Sequence, residues 1–158
     1  MKISMTDIVE KLNERNDLFY DVLILRMYDE YKKLESIHDN SFDDNIQINP
    51  LKIYNSYNNI NIQFQKYKRT NYFSNEVNKE IEKQIIMLSS CIQKFQTHNK
   101  ITVQNTINLI IKLECILNLP VTFPSAIENC LFKQLNLEGK KNKEKEIKRS
   151  KTLWVKSL

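Results

Sequence analysis

Side chains that commonly carry metal chemistry are few in this sequence and widely separated. The two histidines, His38 and His98, lie at the ends of predicted helices, and no acidic or cysteine residues accompany them at the spacings of a metal site. At a helix end an imidazolium can interact with exposed backbone carbonyl groups, so this role is favoured over metal binding. We therefore predict that the chain has no metal ligands.

Residues in a sequence context suited to acid–base or nucleophilic catalysis are also few. The pair Asp43-Asp44 stands among polar residues, whereas a catalytic acid usually needs an apolar surrounding that perturbs its ionisation. The run Ser89-Ser90-Cys91 lacks the flanking glycines of a nucleophile elbow. The three cysteines have apolar neighbours and no Cys-x-x-Cys spacing, which predicts buried thiols in a reducing compartment. The sequence thus predicts a binding protein with no catalytic residue and no cofactor.

Two segments have the composition of a binding surface. Tyrosines and phenylalanines between residues 54 and 73 alternate with Lys66, Lys68 and Arg69. They could stack on single-stranded bases, although covering a helical bundle is the favoured interpretation. Residues 140–158 contain eight Lys and Arg against two Glu, while the preceding residues contain 16 basic and 17 acidic residues. Such a basic run is typical of a nucleic-acid patch, a nuclear-import signal, a contact for an acidic partner or a solvated helix face.

The elements that must position these residues are predicted to be helices. Among 158 residues there is one glycine, which argues against β-rich folds with tight turns, Rossmann folds and P-loops. Hydrophobic residues make up 41% of the chain, enough for a core, but the apolar runs are too short to span a membrane. The first residues also lack the apolar stretch of a secretory signal. We predict an all-α fold, with a C-terminal bundle of four or five helices and an additional N-terminal helical segment.

The apolar periodicity divides the chain into three parts. Residues 1–38 form an N-terminal helical segment, which polar residues 13–17 interrupt, so that a second helix could start at Asp17. Residues 39–73 are Asn-rich and are interpreted as a connector with one short helix at 51–57. Residues 74–158 are expected to form a bundle by themselves. Its signals are the helix caps Ser74 and Thr102, the stop at Leu119-Pro120, a short helix with Pro124 in its first turn, a closing Gly139, and a last helix carrying the basic run and a buried Trp154.

The C-terminal half resembles a known family. An amphipathic helix with Leu109 and Leu113 leads into the sequence Asn-Leu-Pro-Val-Thr at 118–122, and the charged stretch 138–146 leads into a last helix that ends in Leu153-Trp154. This order of features is similar to the helical N-terminal domain of the transcription elongation factor TFIIS (the LW or TND domain), over residues 75–158.

The resemblance implies a nuclear, non-enzymatic interaction module in RNA polymerase II transcription elongation. Domains of this family bind disordered acidic segments with aromatic anchors in partner transcription proteins. The partner-binding edge expected here consists of Leu119, Val121, Phe123, Lys148 and Lys151. In this hypothesis Phe123 is only partly covered, and the two lysines share one helix face beside it. The alternative is a helical nucleic-acid-binding or viral-type adaptor, whose basic C-terminal run contacts phosphates; weak nucleic-acid contact is compatible with either function.

Overall fold

A computed structural model describes residues 2–35, 48–96 and 98–136. Within these ranges all regular structure is helical, which confirms the all-α prediction. The elements are α1 (Met5–Glu14), α2 (Leu18–Glu35), α3 (Pro50–Arg69), α4 (Asn75–Gln93), α5 (Lys100–Ile116), a single 3₁₀ turn (Pro124–Ala126) and α6 (Ile127–Leu135). The predicted closing residue Gly139, the last helix with Trp154, and the basic run lie outside the described residues.

Local side-chain bonds define the first two helices. At the start of α1 the Ser4 hydroxyl accepts a bond from the backbone N–H of Asp7 (3.3 Å), and the Asp7 carboxylate accepts one from the N–H of Ser4 (2.9 Å). Residues 15–17 are not helical, and Asp17 then accepts a bond from the N–H of Tyr20 (3.2 Å) at the start of α2. The expected interruption and the second helix are therefore both present.

Helix α3 is the main departure from the sequence-based prediction. The connector interpretation, with one short helix at 51–57, is wrong because 20 residues from Pro50 to Arg69 form a continuous helix. Asn49 caps it and Pro50 occupies its first turn, where the missing N–H costs nothing. Ile53, Ile60 and Phe64 recur on one face and are buried. Packing of this face outweighs the low helix propensity of the asparagines between them.

The following helices begin close to where the sequence places them. Ser74 caps α4 by accepting a bond from the N–H of Val77 (3.3 Å). The cap of α5 is Asn99 and not Thr102, because the Asn99 side chain accepts bonds from the N–H groups of Ile101 (3.0 Å) and Thr102 (3.4 Å). The 3₁₀ turn with Pro124 then leads into α6, as predicted.

One core crosses the boundary predicted at residue 74. Helix α5 is buried along most of its length, with α2, α3, α4 and α6 packed around it. Leu23, Ile24 and Met27 of α2 are as deeply buried as Ile110 and Ile111 of α5. The N-terminal segment therefore contributes to the same core as α4–α6. Among the described helices, none is long and apolar enough to cross a membrane.

Candidate functional site

The predicted binding edge begins in residues 117–123, called here the junction, which follow α5. Asn118 has a left-handed backbone (φ 58°), and the N–H of Leu119 donates a bond to the carbonyl of Glu114 (2.9 Å). The chain then runs along α3 toward the start of that helix. Leu117 contacts Gln63, and Thr122 contacts Ser56, which lies seven positions earlier in α3. The junction is thus held against both α5 and α3.

A buried carboxylate fixes the junction to α5. The side chain of Glu114 is 3% exposed and accepts bonds from the backbone N–H of Thr122 (3.1 Å) and from its hydroxyl group (2.6 Å). The Thr122 hydroxyl lies 2.9 Å from that of Ser56, which lies 2.9 Å from the carbonyl oxygen of Lys52. These contacts form one chain of oxygen atoms from α5, through the junction, to α3.

Burial affects the ionisation of Glu114. The Thr122 hydroxyl donates to the Glu114 carboxyl group, and the Ser56 hydroxyl lies within hydrogen-bond distance of both the Thr122 hydroxyl and the Lys52 carbonyl. Burial raises the pKa of Glu114 to about 7, although the two bonds from Thr122 oppose the shift. Desolvation therefore favours the neutral carboxylic acid.

The carbonyl groups at the end of α5 are closed by side chains from two other helices. Arg26 of α2 donates to the carbonyl oxygen of Ile116 and to the hydroxyl of Tyr72 (2.9 Å). Gln63 of α3 donates to the carbonyl oxygen of Leu117 (3.2 Å). Because carbonyls at a helix end have no partner within the helix, these bonds satisfy groups that would otherwise be costly to bury.

An aromatic cluster covers Arg26. Tyr67 and Tyr72 stack with ring centres 4.4 Å apart, and Phe73 meets Tyr72 edge-on at 4.8 Å. The Arg26 guanidinium carbon lies 5.6–5.8 Å from the ring centres of Phe73 and Tyr72. Phe64, from the same tyrosine-rich segment, is buried in the core. Phe64, Tyr67 and Phe73 therefore cover the bundle, as the favoured interpretation of the sequence has it, whereas Tyr54 and Tyr72 are half exposed.

The five residues of the predicted edge have different outcomes. Leu119 and Val121 are half-buried on the junction. Phe123 is 7% exposed and belongs to the core, so the expectation that its ring is only partly covered is wrong. One short helix could cover this ring only in part, but Phe123 belongs to a core to which several other helices contribute. Lys148 and Lys151 lie outside the described residues. The sequence signal that was missed is Glu114, a lone acid in the apolar run Leu113 to Leu117.

A cavity of about 360 Å³ lies beside the opposite end of α5. Residues from the start of α3, the end of α4 and the α4–α5 connection line it: Pro50, Ile53, Tyr54, Ile92, Phe95, Gln96 and His98. Its walls are mainly apolar, and the two polar side chains both come from the α4–α5 connection. This cavity was not predicted from the sequence, because the wall formed by Pro50, Ile53 and Tyr54 belongs to the segment interpreted as a connector.

Exposed lysines flank the lining residues of this cavity along the chain. Lys52, Lys94 and Lys100 are exposed and lie one or two positions from residues that line it. No Asp or Glu occurs in residues 45–75 or 83–113, and the first turns of α3 and α5 carry no acid to offset their helix dipoles. Within the described ranges, ion pairs are formed by lysines of residues 2–35 and by none of these three. We call this surface, with its cavity, the basic end.

The cysteines and acidic residues within 2–35, 48–96 and 98–136 form no recognisable reaction centre. Cys115 and Cys130 are buried free thiols and Cys91 is half-buried. Burial raises the pKa of both deep thiols, to about 12 for Cys130, so neither is a thiolate at neutral pH. In the part of the chain that the structure describes, no group of three or more His, Cys, Asp and Glu residues is placed to hold a metal ion.

Comparison with protein-family models, with curated proteins and with solved structures finds no match to this chain.

Proposed function

We propose that this chain is a non-enzymatic protein-interaction module that binds disordered acidic segments of partner proteins. The observation that carries the proposal is the basic end, where Lys52, Lys94 and Lys100 are exposed and lie in stretches, 45–75 and 83–113, that contain no Asp or Glu. A surface of one charge sign speeds the encounter with an oppositely charged segment, and apolar contacts then slow its dissociation. A disordered segment suits such a site because it can adapt to a small apolar cavity and a charged rim together.

The cellular setting is the narrower part of the proposal. The resemblance of residues 75–158 to the TFIIS N-terminal domain supports a nuclear role in RNA polymerase II transcription elongation, with transcription elongation proteins as partners. The basic run at 140–158 is compatible with a second contact to an acidic partner.

A nucleic-acid-binding adaptor is the second candidate. The same lysines would attract phosphate groups, and Lys66, Lys68 and Arg69 add positive charge at the other end of α3. The stacking part of that function has less support, because Tyr72 already contacts Tyr67, Phe73 and Arg26.

A titration with two classes of probe separates these functions. The full chain is titrated with a fluorescent 15-residue peptide of Asp, Glu, Ser and one Trp, and with a random single-stranded RNA of equal charge, at several salt concentrations. We expect the peptide to bind more tightly than the RNA. RNA binding that falls steeply with salt, together with no peptide binding, would favour the nucleic-acid function and refute the first proposal.

Matched variants locate the surface in the same assay. Replacing Lys52, Lys94 and Lys100 together by Gln should weaken peptide binding and reduce its salt dependence, mainly through slower association. The control replaces three other exposed lysines by Gln, removing the same charge elsewhere: Lys66, Lys79 and Lys83. For the cellular setting, immobilised parent chain should recover elongation-complex subunits from nuclear extract, and the first triple variant should not.

A further inference from the structure

We infer that the cavity of the basic end binds one aromatic side chain of the acidic partner segment. The sequence had predicted this anchor site at the junction. This inference rests on the proposed function and names the part of the molecule that supplies its specificity. Phe123, the anchor residue expected on the junction, is buried in the core, and the carbonyl groups there are bonded to Arg26 and Gln63. The junction is built as an internal contact, whereas the cavity is accessible.

The size of the cavity restricts what can enter it. Its volume of about 360 Å³ is at the low end of the roughly 300–1,000 Å³ of small-molecule sites. It therefore suits one ring-bearing side chain better than an extended ligand. A single buried anchor surrounded by weaker contacts is also the usual distribution of binding energy in protein interfaces.

The walls favour an aromatic group. Ile53 is buried, and Ile92 and Phe95 pack against the core, so these walls are fixed before any partner arrives. Tyr54 is 53% exposed and lines the cavity from α3, while Phe95 lines it from the α4–α5 connection. Two rings in the wall allow an incoming ring to stack or to make edge-to-face contact. Tyr54 also loses exposed apolar surface when the cavity is filled.

The backbone of the α4–α5 connection holds the polar side of the cavity in place. The N–H of Phe95 donates to the carbonyl of Ile92 (3.2 Å), and the N–H of Asn99 donates to that of Gln96 (3.0 Å). The Thr102 hydroxyl lies 2.9 Å from the carbonyl oxygen of Asn99 and 3.2 Å from that of Gln96. This side of the cavity is therefore preorganised, which lowers the entropic cost of binding.

Charge complementarity indicates that the partner residues on both sides of the aromatic anchor are acidic. Lys52 precedes Ile53, Lys94 precedes Phe95, and Lys100 follows His98 by two residues, so positive charge stands on all three chain segments that form the walls. The helix N-termini of α3 and α5 add partial positive charge at this end, while the C-terminus of α4 adds partial negative charge next to Lys94, so the lysine side chains supply the net positive charge. A segment with carboxylates on both sides of its ring would meet this charge while the ring enters the cavity.

The first measurement probes the cavity without any charge. Indole is added to the full chain carrying ¹³C-labelled isoleucine methyl groups, and the methyl signals of Ile53 and Ile92 are followed by NMR. We expect both signals to shift with millimolar affinity, while that of Ile62, exposed on another face of α3, stays in place. Absence of any shift at Ile53 and Ile92 would overturn the inference, since a cavity closed to a neutral ring cannot accept the anchor.

The second measurement compares two acidic peptides that differ in one residue, Trp or Ala, at the anchor position. With the parent chain, the Trp peptide should bind roughly 10- to 30-fold more tightly than the Ala peptide. Ile92→Trp, which fills the cavity, and Tyr54→Ala, which removes an exposed wall, should each reduce this ratio. Ile62→Ala is the matched control on α3. If circular dichroism shows that Ile92→Trp is unfolded, Tyr54→Ala carries the test, because its side chain is half exposed.

The outcomes separate this inference from the proposed function. If both peptides bind the parent chain equally, the anchor inference is wrong while binding of acidic segments stands. If neither peptide binds at any salt concentration, the proposed function fails and the inference falls with it. A Trp preference that persists in both cavity variants places the anchor elsewhere on the chain and also overturns the inference.

Discussion

The two ends of α5 differ in how their polar groups are used. At the C-terminal end, Arg26 and Gln63 bond to the last carbonyl groups, and Glu114 bonds to the junction that folds back from the helix. At the N-terminal end, Asn99 caps the helix, but the lysines nearby make no ion pair within the described ranges and a cavity stands open beside them. One end uses its polar groups for folding, and the other leaves its charges available to a partner.

This contrast shows that a distinctive sequence need not mark an exposed surface. The residues around Leu119 and Thr122 are the most recognisable stretch of the chain, yet their polar groups are bonded internally. Packing between two helices can restrict the residue types of a segment as strongly as binding to a partner does. Substitutions at the two ends should therefore affect stability very differently.

The largest expected effect is the loss of Arg26. Arg26→Ala leaves the carbonyl group of Ile116 without its charged donor and removes the cation from the faces of Tyr72 and Phe73. A hydrogen bond to a charged group contributes about 1.5–3 kcal/mol and the cation–π contact about 0.5–1, so unfolding should require about 2–4 kcal/mol less free energy. Urea denaturation measures this, with the exposed Arg69→Ala as control. Equal losses in both variants would mean that Arg26 does not close this end.

The second effect depends on pH. The pKa of Glu114 is raised to about 7 in the folded chain from about 4.5, so the folded state holds the proton more tightly. Its contribution to stability is fully present below pH 4.5 and is lost as pH rises through 7. Glu114→Gln keeps a side-chain oxygen that accepts from Thr122 and stays neutral at every pH. The variant should therefore be about 2–3 kcal/mol more stable than the parent at pH 8 to 9, and close to it at pH 4.5.

The difference between variant and parent is the quantity to follow for Glu114, because the contribution of every group that the two chains share cancels in it. Glu35 is one such group: its pKa is lowered because Lys32 and Lys2 bond to it, and it is present in both chains. The exposed Glu82→Gln is the control and should show no such pH-dependent difference. A constant difference between Glu114→Gln and parent from pH 4.5 to pH 9 would contradict a buried, neutral Glu114.

A smaller effect is expected from the hydroxyl group of Thr122. Thr122→Val keeps the shape of the side chain but removes the link between Glu114 and Ser56, at a cost of about 1–2 kcal/mol. Combining it with Glu114→Gln in a double-mutant cycle should give a coupling energy of at least about 0.5 kcal/mol. Thr70→Val, at an exposed threonine, serves as control. Additive losses would show that the oxygen chain does not act as one unit.

The smallest effect on stability is expected at the basic end. Replacing Lys52, Lys94 and Lys100 by Gln should change the free energy of unfolding by no more than about 0.5 kcal/mol, because these side chains are exposed. The same variant should lose peptide binding, so function and stability separate here. A loss above about 1 kcal/mol in urea denaturation would show that these lysines also serve the fold.

The sequence predicted features that depend on local chemistry. The cap at Ser74, the interruption before Asp17 and the turn with Pro124 each follow from side chains acting within one helical turn. It failed where tertiary packing decides. The many asparagines of α3 favoured the connector interpretation. The apolar face of this helix stabilises it only when α4 and α5 pack on it. The exposure of Phe123 and the bonds of Glu114 likewise depend on residues distant along the chain.

The left-handed residues that end helices in this chain have a consequence for how quickly it folds. Within the described residues, positive φ angles occur at Asn71, Asn118 and Asn136, which follow α3, α5 and α6. Asparagine visits this conformation readily, and it has fewer backbone states to lose than glycine does. The left-handed conformation at each of these helix ends is therefore partly populated before the helices meet. Helical hairpins such as α3–α4 can then form from short loops, and such local contacts are typical of rapidly folding proteins.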